Sequence, residues 1–397
     1  MQNKCKALEG VKVLDLGRVM SAPLAAALLA DMGADVLKIE QPGSGDDSRV
    51  FMPKKDGIST YFITFNRGKR GITLNLKTGK DIFLKLVKDA DVVIENFRPG
   101  VMRKLGLAYE DLKQINPKII MASISGFGQE GPYSKRAGYD TIGQAMGGVM
   151  SITGFDSGGL PTRCGAAVGD VTSGLSAVVG ILAALEQREK TGEGQYIDCA
   201  LTDTAVVCAG GVNEEYFLSG IVPRRKGNTL EGYAPANCFK TVDDYLVCCC
   251  EDQDDYAALC AILDREDLLK DPNYATNELR VANREALEAA IEDVLQHKDT
   301  AYWVEKMLSA GLAAAPILTI ADAVADPQVG GARNMYPTVE YTGLGDVRIT
   351  GGSLHFSETP TCYGKAPSLG ENNEEVICGQ LGYTKEQFEE FKANGVI

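Results

Sequence analysis

The sequence predicts an α/β protein built on a parallel sheet, followed by a smaller α+β unit. Three observations carry that expectation. Short apolar runs alternate with helical stretches through the first third of the chain. A glycine-dense segment at 132–170 follows them. Near 223–233 the chain turns polar and turn-rich (PRRKGNTLEGY), and a strand-like run and three helical patterns come after it. A length of 397 residues suits two domains better than one.

The elements follow in order. Gly10–Leu16 reads as a buried strand. Pro23–Met32 (PLAAALLADM) reads as a helix closed by Gly33 at its C-terminal end. Ala34–Glu40 is a second strand. Lys80–Ala90 is an amphipathic helix, and Asp91–Asn96 is a strand. Tyr109–Asn116 is a helix, and Lys118–Ser123 is a strand. Val171–Lys190 is a long helix of small apolar residues, Gln195–Leu201 is strand-like, and Asp203–Leu218 is helical. In the second unit Tyr245–Cys250 is strand-like, with helices at Asp254–Leu263, Glu285–Leu295 and Thr300–Ala310. Val347–Leu354 is a short β stretch, Pro360–Gly370 is a loop, and a last helix starts near Thr384.

Composition narrows the function classes. Apolar residues make up 45% and charged residues 24%, as in globular domains. No charge-free apolar run reaches the ~18 residues of a membrane span, and the first ten residues lack a secretory pattern. A cytoplasmic protein is expected. The 40 basic and 54 acidic residues give a net charge of -14, which disfavours nucleic acid or an anionic membrane as partner. Eleven cysteines occur without a C-x-x-C pair, so buried reduced thiols are expected. His297 and His355 are the two histidines, too few for most histidine-based zinc sites. No metal is expected.

Four features could carry chemistry. Gly126–Gly131 (GFGQEG) fits G-x-G-x-x-G, but Pro132 and Ser134 follow, no helical period begins there, and the preceding strand is a late one. It is read as a false dinucleotide fingerprint. Basic residues cluster at Arg67, Lys69, Arg70, Lys77, Arg98, Arg103, Lys104, Lys135 and Arg136, several of them after predicted strands, where ligands of parallel sheets bind. Surface scatter is the plain alternative for that cluster. Cys248–Cys250 is read as core packing. Asp170 follows GAAVG and precedes the long helix. It suits either a helix N-cap or a carboxylate nucleophile with small neighbours around it.

The chain resembles the family III CoA-transferases, the group of formyl-CoA transferase and carnitine CoA-transferase. The likeness runs through VKVLDLGRVMSAP, ADVLKIEQPGSGD, KRGITLNLKT, DVVIENFRPGVMRKLGL, SISGFGQEGPY, AGYDTIGQAMGG, GAAVGDVTSG and ILAALEQREKTGEGQ, in that order. It implies a Rossmann-like large domain over 1–224 and 326–397, with a small domain at 225–325 inserted between. It also implies a homodimer of two interlocked rings.

The resemblance further implies an acyl-CoA:carboxylate CoA-transferase. Asp170 would be its nucleophile, working through a mixed anhydride and an aspartyl-CoA thioester. The neighbouring glycines would offer N–H groups to the oxyanion. Contacts to CoA would fall on Val19, Leu74, Lys77, Asn96, Phe97 and Lys104, helped by Arg98, and substrate contacts on Tyr139 and Gln144. Coenzyme A and its thioesters enter as substrates, no prosthetic group is implied, and the partners are an acyl-CoA and a small carboxylic acid. Gln41 and Pro42 stand where formyl-CoA transferase has an arginine that contacts CoA. The glycine run that closes over that enzyme's site is not evident near 225–260, and the loop 227–235 would stand in for it. Segments 139–162 and 227–239 are expected to select the acid.

Two alternatives share the fold. The α-methylacyl-CoA racemases carry histidine where this chain has Tyr139, and a phenol of ordinary pKa near 10 is a poor base at neutral pH. A non-catalytic CoA-binding protein would not need Asp170 intact.

Overall fold

The computed structural model of the chain describes residues 6–156 and 159–397. Cys5 and, within the glycine-dense stretch, Ser157 and Gly158 lie outside the described residues. Two compact units are present. The first comprises Met1–Met150, Arg163–Ile221 and Pro327–Ile397, and the second Ser151–Thr162 and Val222–Asp326.

The first unit is organised around six parallel strands. In chain order these are β1 (Lys12–Asp15), β2 (Asp35–Glu40), β3 (Arg70–Thr73), β4 (Val92–Glu95), β5 (Ile120–Ser125) and β6 (Tyr196–Ala200). Their order across the sheet is β3-β2-β1-β4-β5-β6, and every pairing is parallel. The strands read as near-continuous apolar runs because both faces are covered. Val13, Val36 and Val92 pack on one face with helices α1 (Ser21–Asp31) and α5 (Val168–Thr191). Leu14, Leu37 and Val93 pack on the other with helix α2 (Lys80–Asp89) and with Val376, Ile377, Phe388 and Val396 from the chain's C-terminal end. Helices α3 (Tyr109–Ile115) and α4 (Asp140–Met146) flank β5, and α6 (Leu201–Cys208) and α7 (Gly211–Ser219) follow β6.

Asp203–Leu218, expected as one helix, is two. Gly210 takes φ +49° and Gly211 follows it, so α6 stops before α7 starts. Helix α5 begins at Val168, three residues before the expected start. Its N-cap is Ala167, so Asp170 lies within the first turn and is not the cap. By length and composition α5 could cross a membrane. Here Ala177, Ile181 and Ala184 bury one side of it in the core against the sheet and Gly174 lies against α1, while Leu175 and Val179 stay exposed.

The second unit holds a three-stranded antiparallel sheet. Strands β7 (Ala236–Lys240), β8 (Tyr245–Cys249) and β9 (Ala313–Pro316) are ordered β9-β8-β7. Helices α8 (Gln253–Ile262), α9 (Arg284–Leu295) and α10 (Thr300–Ser309) pack on it. Cys248 and Cys250 sit in this core with Tyr256, Leu259 and Trp303. Burial pushes the Cys249 thiol up, and the Cys248 contact with burial pushes Cys250 up further. Protonated, inert thiols are the result.

Candidate active site

In an open parallel sheet the crevice lies outside the carboxyl ends of the strands where their order reverses. Here that point falls between β1 and β4. The turn leaving β1 (Leu16–Met20) and the loop leaving β4 (Asn96–Pro99) face each other across it. Asn96 ties them together: its Oδ1 accepts the Arg18 N–H at 2.8 Å, and its Nδ2 donates to the Arg18 carbonyl at 2.8 Å and to Ser21 Oγ at 3.4 Å.

Two cavities open along this edge. The first, of 540 Å³, is lined by Val19, Ser21, Asn96, Phe97, Arg98, Arg136, Tyr139 and Asp170 among others. The second, of 430 Å³, is lined by Gln41, Ser44, Leu74, Asn75, Lys77 and Phe97 among others. Arg18, Phe97 and Val101 line both, which makes a continuous edge across the ends of β1 to β4. The sequence-nominated residues Val19, Asn96, Phe97, Arg98, Tyr139 and Asp170 therefore share the first cavity, and Leu74 and Lys77 share the second. Lys104 lines neither: it is exposed in the short helix Val101–Leu105. Gln144 also lies outside both. It is fully buried and donates to Asp140 Oδ2 at 2.7 Å, and its Oε1 accepts the Cys164 N–H at 2.9 Å.

The basic cluster divides by partner. Arg67 is buried against Asp31 at 2.6 Å, Lys69 against Asp15 at 2.7 Å, and Arg70 bridges Asp35 and Glu375. These three cations are consumed by structural carboxylates and do not face a ligand. Arg98 and Arg136 line the first cavity and have no ion pair among the described residues, and Arg136 stacks on the Tyr133 ring with its guanidinium 3.6 Å from the ring centre. A cavity edged by unpaired guanidinium groups suits carboxylates and phosphates.

Asp170 sits in the first turn of α5, where free backbone N–H groups favour an anion. Those N–H groups are already engaged. Asp140 Oδ1 accepts the Gly169 N–H at 2.8 Å and the Asp170 N–H at 3.3 Å, so a carboxylate from α4 caps α5. The expectation that Gly169 would offer its N–H to an oxyanion fails for this reason. Burial drives the Asp170 carboxyl up from 3.8 to about 6, the Asp140 charge adds to it, and a hydrogen bond with Ser21 opposes it. At neutral pH the group is mostly ionised, yet poorly solvated and so a stronger nucleophile. The Tyr61 phenol is pushed to about 12, by burial first and then by the Asp170 charge, so it stays protonated.

Gly126, the first glycine of the false fingerprint, has its own reason. A Cβ there would lie 2.5 Å from the Cα of Gly138. The end of β5 and the segment leading into Tyr139 thus touch backbone to backbone, and no helix begins at Gly126–Gly131. The histidines stand apart from both cavities: His297 lies just past the end of α9 and bonds the Val294 carbonyl, and His355 is exposed in a loop. Among the described residues no group of three or more His, Cys, Asp or Glu side chains could hold a metal.

Sequence reasoning missed Ser21 and Asp140 as site residues. Ser21 and Asp140 lie inside the motifs VMSAP and AGYD, but nothing local marks them apart from their neighbours.

The profile of CoA-transferase family III matches residues 8–373. The chain belongs to the family III CoA-transferases. It is an enzyme of the EC 2.8.3 type, and CoA thioesters are its substrates. Human succinyl-CoA:glutarate CoA-transferase is 36% identical over 401 residues, spanning 100% of this chain and 91% of that one. Acetyl-CoA:oxalate CoA-transferase of Acetobacter aceti is 42% identical over 330 residues, spanning 82% and 84%. Among solved structures, a CAIB/BAIF family protein from Brucella suis superposes with a TM-score of 0.85 at 37% identity, covering 94% of this chain and 99% of that one. In this CoA-transferase the cavity edge at β1 and β4 is thus the place to look for the reaction.

Proposed function

We propose that the enzyme moves CoA from an acyl-CoA donor to a dicarboxylic acid through covalent intermediates on Asp170. The observation that carries the reading is the placement of Asp170: it is half-buried in the first turn of α5, shares its cavity lining with Ser21, and faces the cavity that Arg98 and Arg136 edge. The names of relatives support dicarboxylates as the acid class, because succinate, glutarate, mesaconate and oxalate recur among them.

The chemistry needs a carboxylate and no separate base. An Asp170 oxygen attacks the thioester carbonyl, the C–S bond breaks, and CoA leaves as a thiolate. The product is a mixed anhydride between Asp170 and the donor acyl group. The thiolate then attacks the Asp170 carbonyl and expels the donor acid as carboxylate, leaving an aspartyl-CoA thioester. An acceptor carboxylate attacks that thioester, a second anhydride forms, and the returning thiolate takes the new acyl group and frees Asp170. Anhydride and thioester are similarly activated, so each step is small in free energy. Arginine guanidinium groups at the rim hold the carboxylates in position.

The enzyme acts as a homodimer in the cytoplasm on this reading. Val207 on α6, Phe217 and Leu218 on α7 and Ile221 just after it leave an apolar face exposed, and Leu218 is 93% accessible; a second copy would cover it. Every described cysteine is a free thiol, which suits a reducing compartment. Racemase chemistry is disfavoured because Tyr139 stands at the base position.

The test is to incubate the protein with succinyl-CoA, add borohydride or hydroxylamine, and locate the modified residue by mass spectrometry. An adduct on Asp170 that is absent from Asp170→Ala is expected. No adduct with any donor, together with solvent deuterium entering the α-carbon of a branched acyl-CoA, would overturn the reading.

A further inference from the structure

The turn that carries Val19 and Ser21 into the first cavity is held by a buried charge network that lies behind the site. Val19 has φ +66°, a left-handed conformation that a β-branched residue adopts only under constraint. No glycine stands at that point to relieve it. Instead, the polar backbone groups from Gly17 to Val19 are tied down by side chains. The Gly17 N–H donates to Asp15 Oδ1 at 2.7 Å, and the Gly17 carbonyl accepts from Lys38 Nζ at 2.6 Å. Arg18 is held at both its N–H and its carbonyl by Asn96. The Val19 N–H donates to Asp46 Oδ1 at 3.1 Å.

Asp46 is the keystone of this arrangement. It is 2% exposed, and its Oδ2 takes the Lys38 ammonium at 2.9 Å. Its Oδ1 also accepts the Ser48 N–H at 2.9 Å and the Ser48 hydroxyl at 2.8 Å, while its own N–H is held by Glu40 Oε2. Lys38 is fully buried on β2, directly opposite Asp15 on β1, with 3.9 Å between Nζ and Oδ2. Burial alone would raise the Asp46 carboxyl, but Lys38 and the N–H groups of Ser48 and Val19 outweigh it and hold the group near 2. Asp46 is therefore an anion at any working pH. A buried ion pair is a poor source of stability, so its retention here calls for another use.

We infer that Asp46, backed by Lys38, is a positioning residue: it holds Val19 in its strained conformation and thereby aims the Ser21 hydroxyl at Asp170. Asp46 lines the second cavity but not the one that holds Asp170, so its effect on the nucleophile runs through the turn. Without the Val19 hydrogen bond the residue relaxes toward negative φ, the turn shifts, and Ser21 loses its line to the carboxylate. A misplacement of about 1 Å at a reacting group costs on the order of a hundredfold in rate.

The experiment uses the full-length enzyme and four variants: Asp46→Asn, Asp46→Ala, and each of these combined with Val19→Gly. For each, kcat and KM for the acyl-CoA are measured per folded molecule, beside the melting temperature. Asp46→Ala is expected to lower kcat roughly a hundredfold. Asp46→Asn, which keeps an oxygen acceptor for Val19, loses about tenfold. Glycine adopts positive φ without strain, so Val19→Gly in either background recovers about tenfold in kcat. A structural role alone predicts a lower melting temperature, unchanged kcat per folded molecule, and no recovery from Val19→Gly; that result overturns the inference. If Asp46→Ala does not fold, the same comparison is read in the Asp46→Asn background. The proposal rests on Asp170 as nucleophile, but its readout is a ratio within one background. A wild-type enzyme that turns over yet gives no Asp170 adduct would count against the nucleophile and not against the clamp.

Discussion

Replacing Asp170 by asparagine should abolish turnover and, at neutral pH, make the protein more stable. The carboxyl sits at about 6 in the folded chain against an ordinary 3.8, because burial and the Asp140 charge disfavour its ionised form. A carboxylic acid with a raised folded pKa binds its proton more tightly when folded. Between about pH 4 and pH 6 stability therefore falls as pH rises, and above pH 6 the full cost is present. Two pKa units at about 1.4 kcal/mol each give roughly 3 kcal/mol. Asparagine keeps the size and an acceptor for Ser21 but carries no charge, so it recovers most of that. For a unit of this size the gain corresponds to about 5 °C in melting temperature. Melting curves of wild type and Asp170→Asn from pH 4 to pH 8.5 are the assay. The curves should converge near pH 4 and separate as pH rises through 6, with the variant higher. An offset that does not change with pH, or a variant less stable than wild type at pH 8, would refute the reasoning. Turnover of the variant should fall at least about a thousandfold, because the covalent route is lost.

Four further outcomes are expected. The rate of CoA transfer should drop below about pH 6 as Asp170 takes up a proton, and a pH–kcat profile reads that limb directly. Asp140→Asn should move the same limb to lower pH by less than half of the total shift, since burial is the larger cause; an unmoved limb counts against the coupling. Lys77→Ala should raise KM for acyl-CoA about tenfold with little change in kcat, and the wild-type KM should rise with salt, because an exposed ammonium meets the phosphates of CoA. Tyr139→Phe should leave α-proton exchange from a branched acyl-CoA as undetectable as in the wild type, measured by deuterium uptake.

Much of the sheet was legible in the sequence because strands buried on both faces leave an unmistakable apolar signature. Gly10–Leu16, Ala34–Glu40 and Asp91–Asn96 each contain an observed strand. Strand β3 carries no such signature, since Arg70–Thr73 offers four residues with one charge and one glycine. Helix α4 was hidden in the glycine-dense stretch, where its period is too short to register. At the site, the loops after the strands could be named, but how they divide between two cavities depends on strand order, which no local pattern encodes. The clamp on Val19 did leave one trace. In DVLKIE, Lys38 shares the strand face of Val36 and Glu40, a charge where a buried register expects an apolar side chain, and that mismatch marks a buried partner. Ser21 and Asp140 left none, because their importance comes from contacts with residues over a hundred positions away for Ser21 and about thirty for Asp140.

The backbone contact between Gly126 and Gly138 has a consequence for how such enzymes diversify. Neither glycine can be exchanged without pushing β5 away from the loop, so the point at which residue 139 departs is set by main-chain atoms alone. Whatever side chain occupies 139 is delivered to the same spot, and 71% of Tyr139 already lies open, so size constrains it little. A lineage could therefore trial new chemistry at that position, a base in place of a phenol, without disturbing the frame that holds Asp170. Directed evolution of this scaffold should accordingly tolerate saturation at 139 and reject nearly everything at 126 and 138.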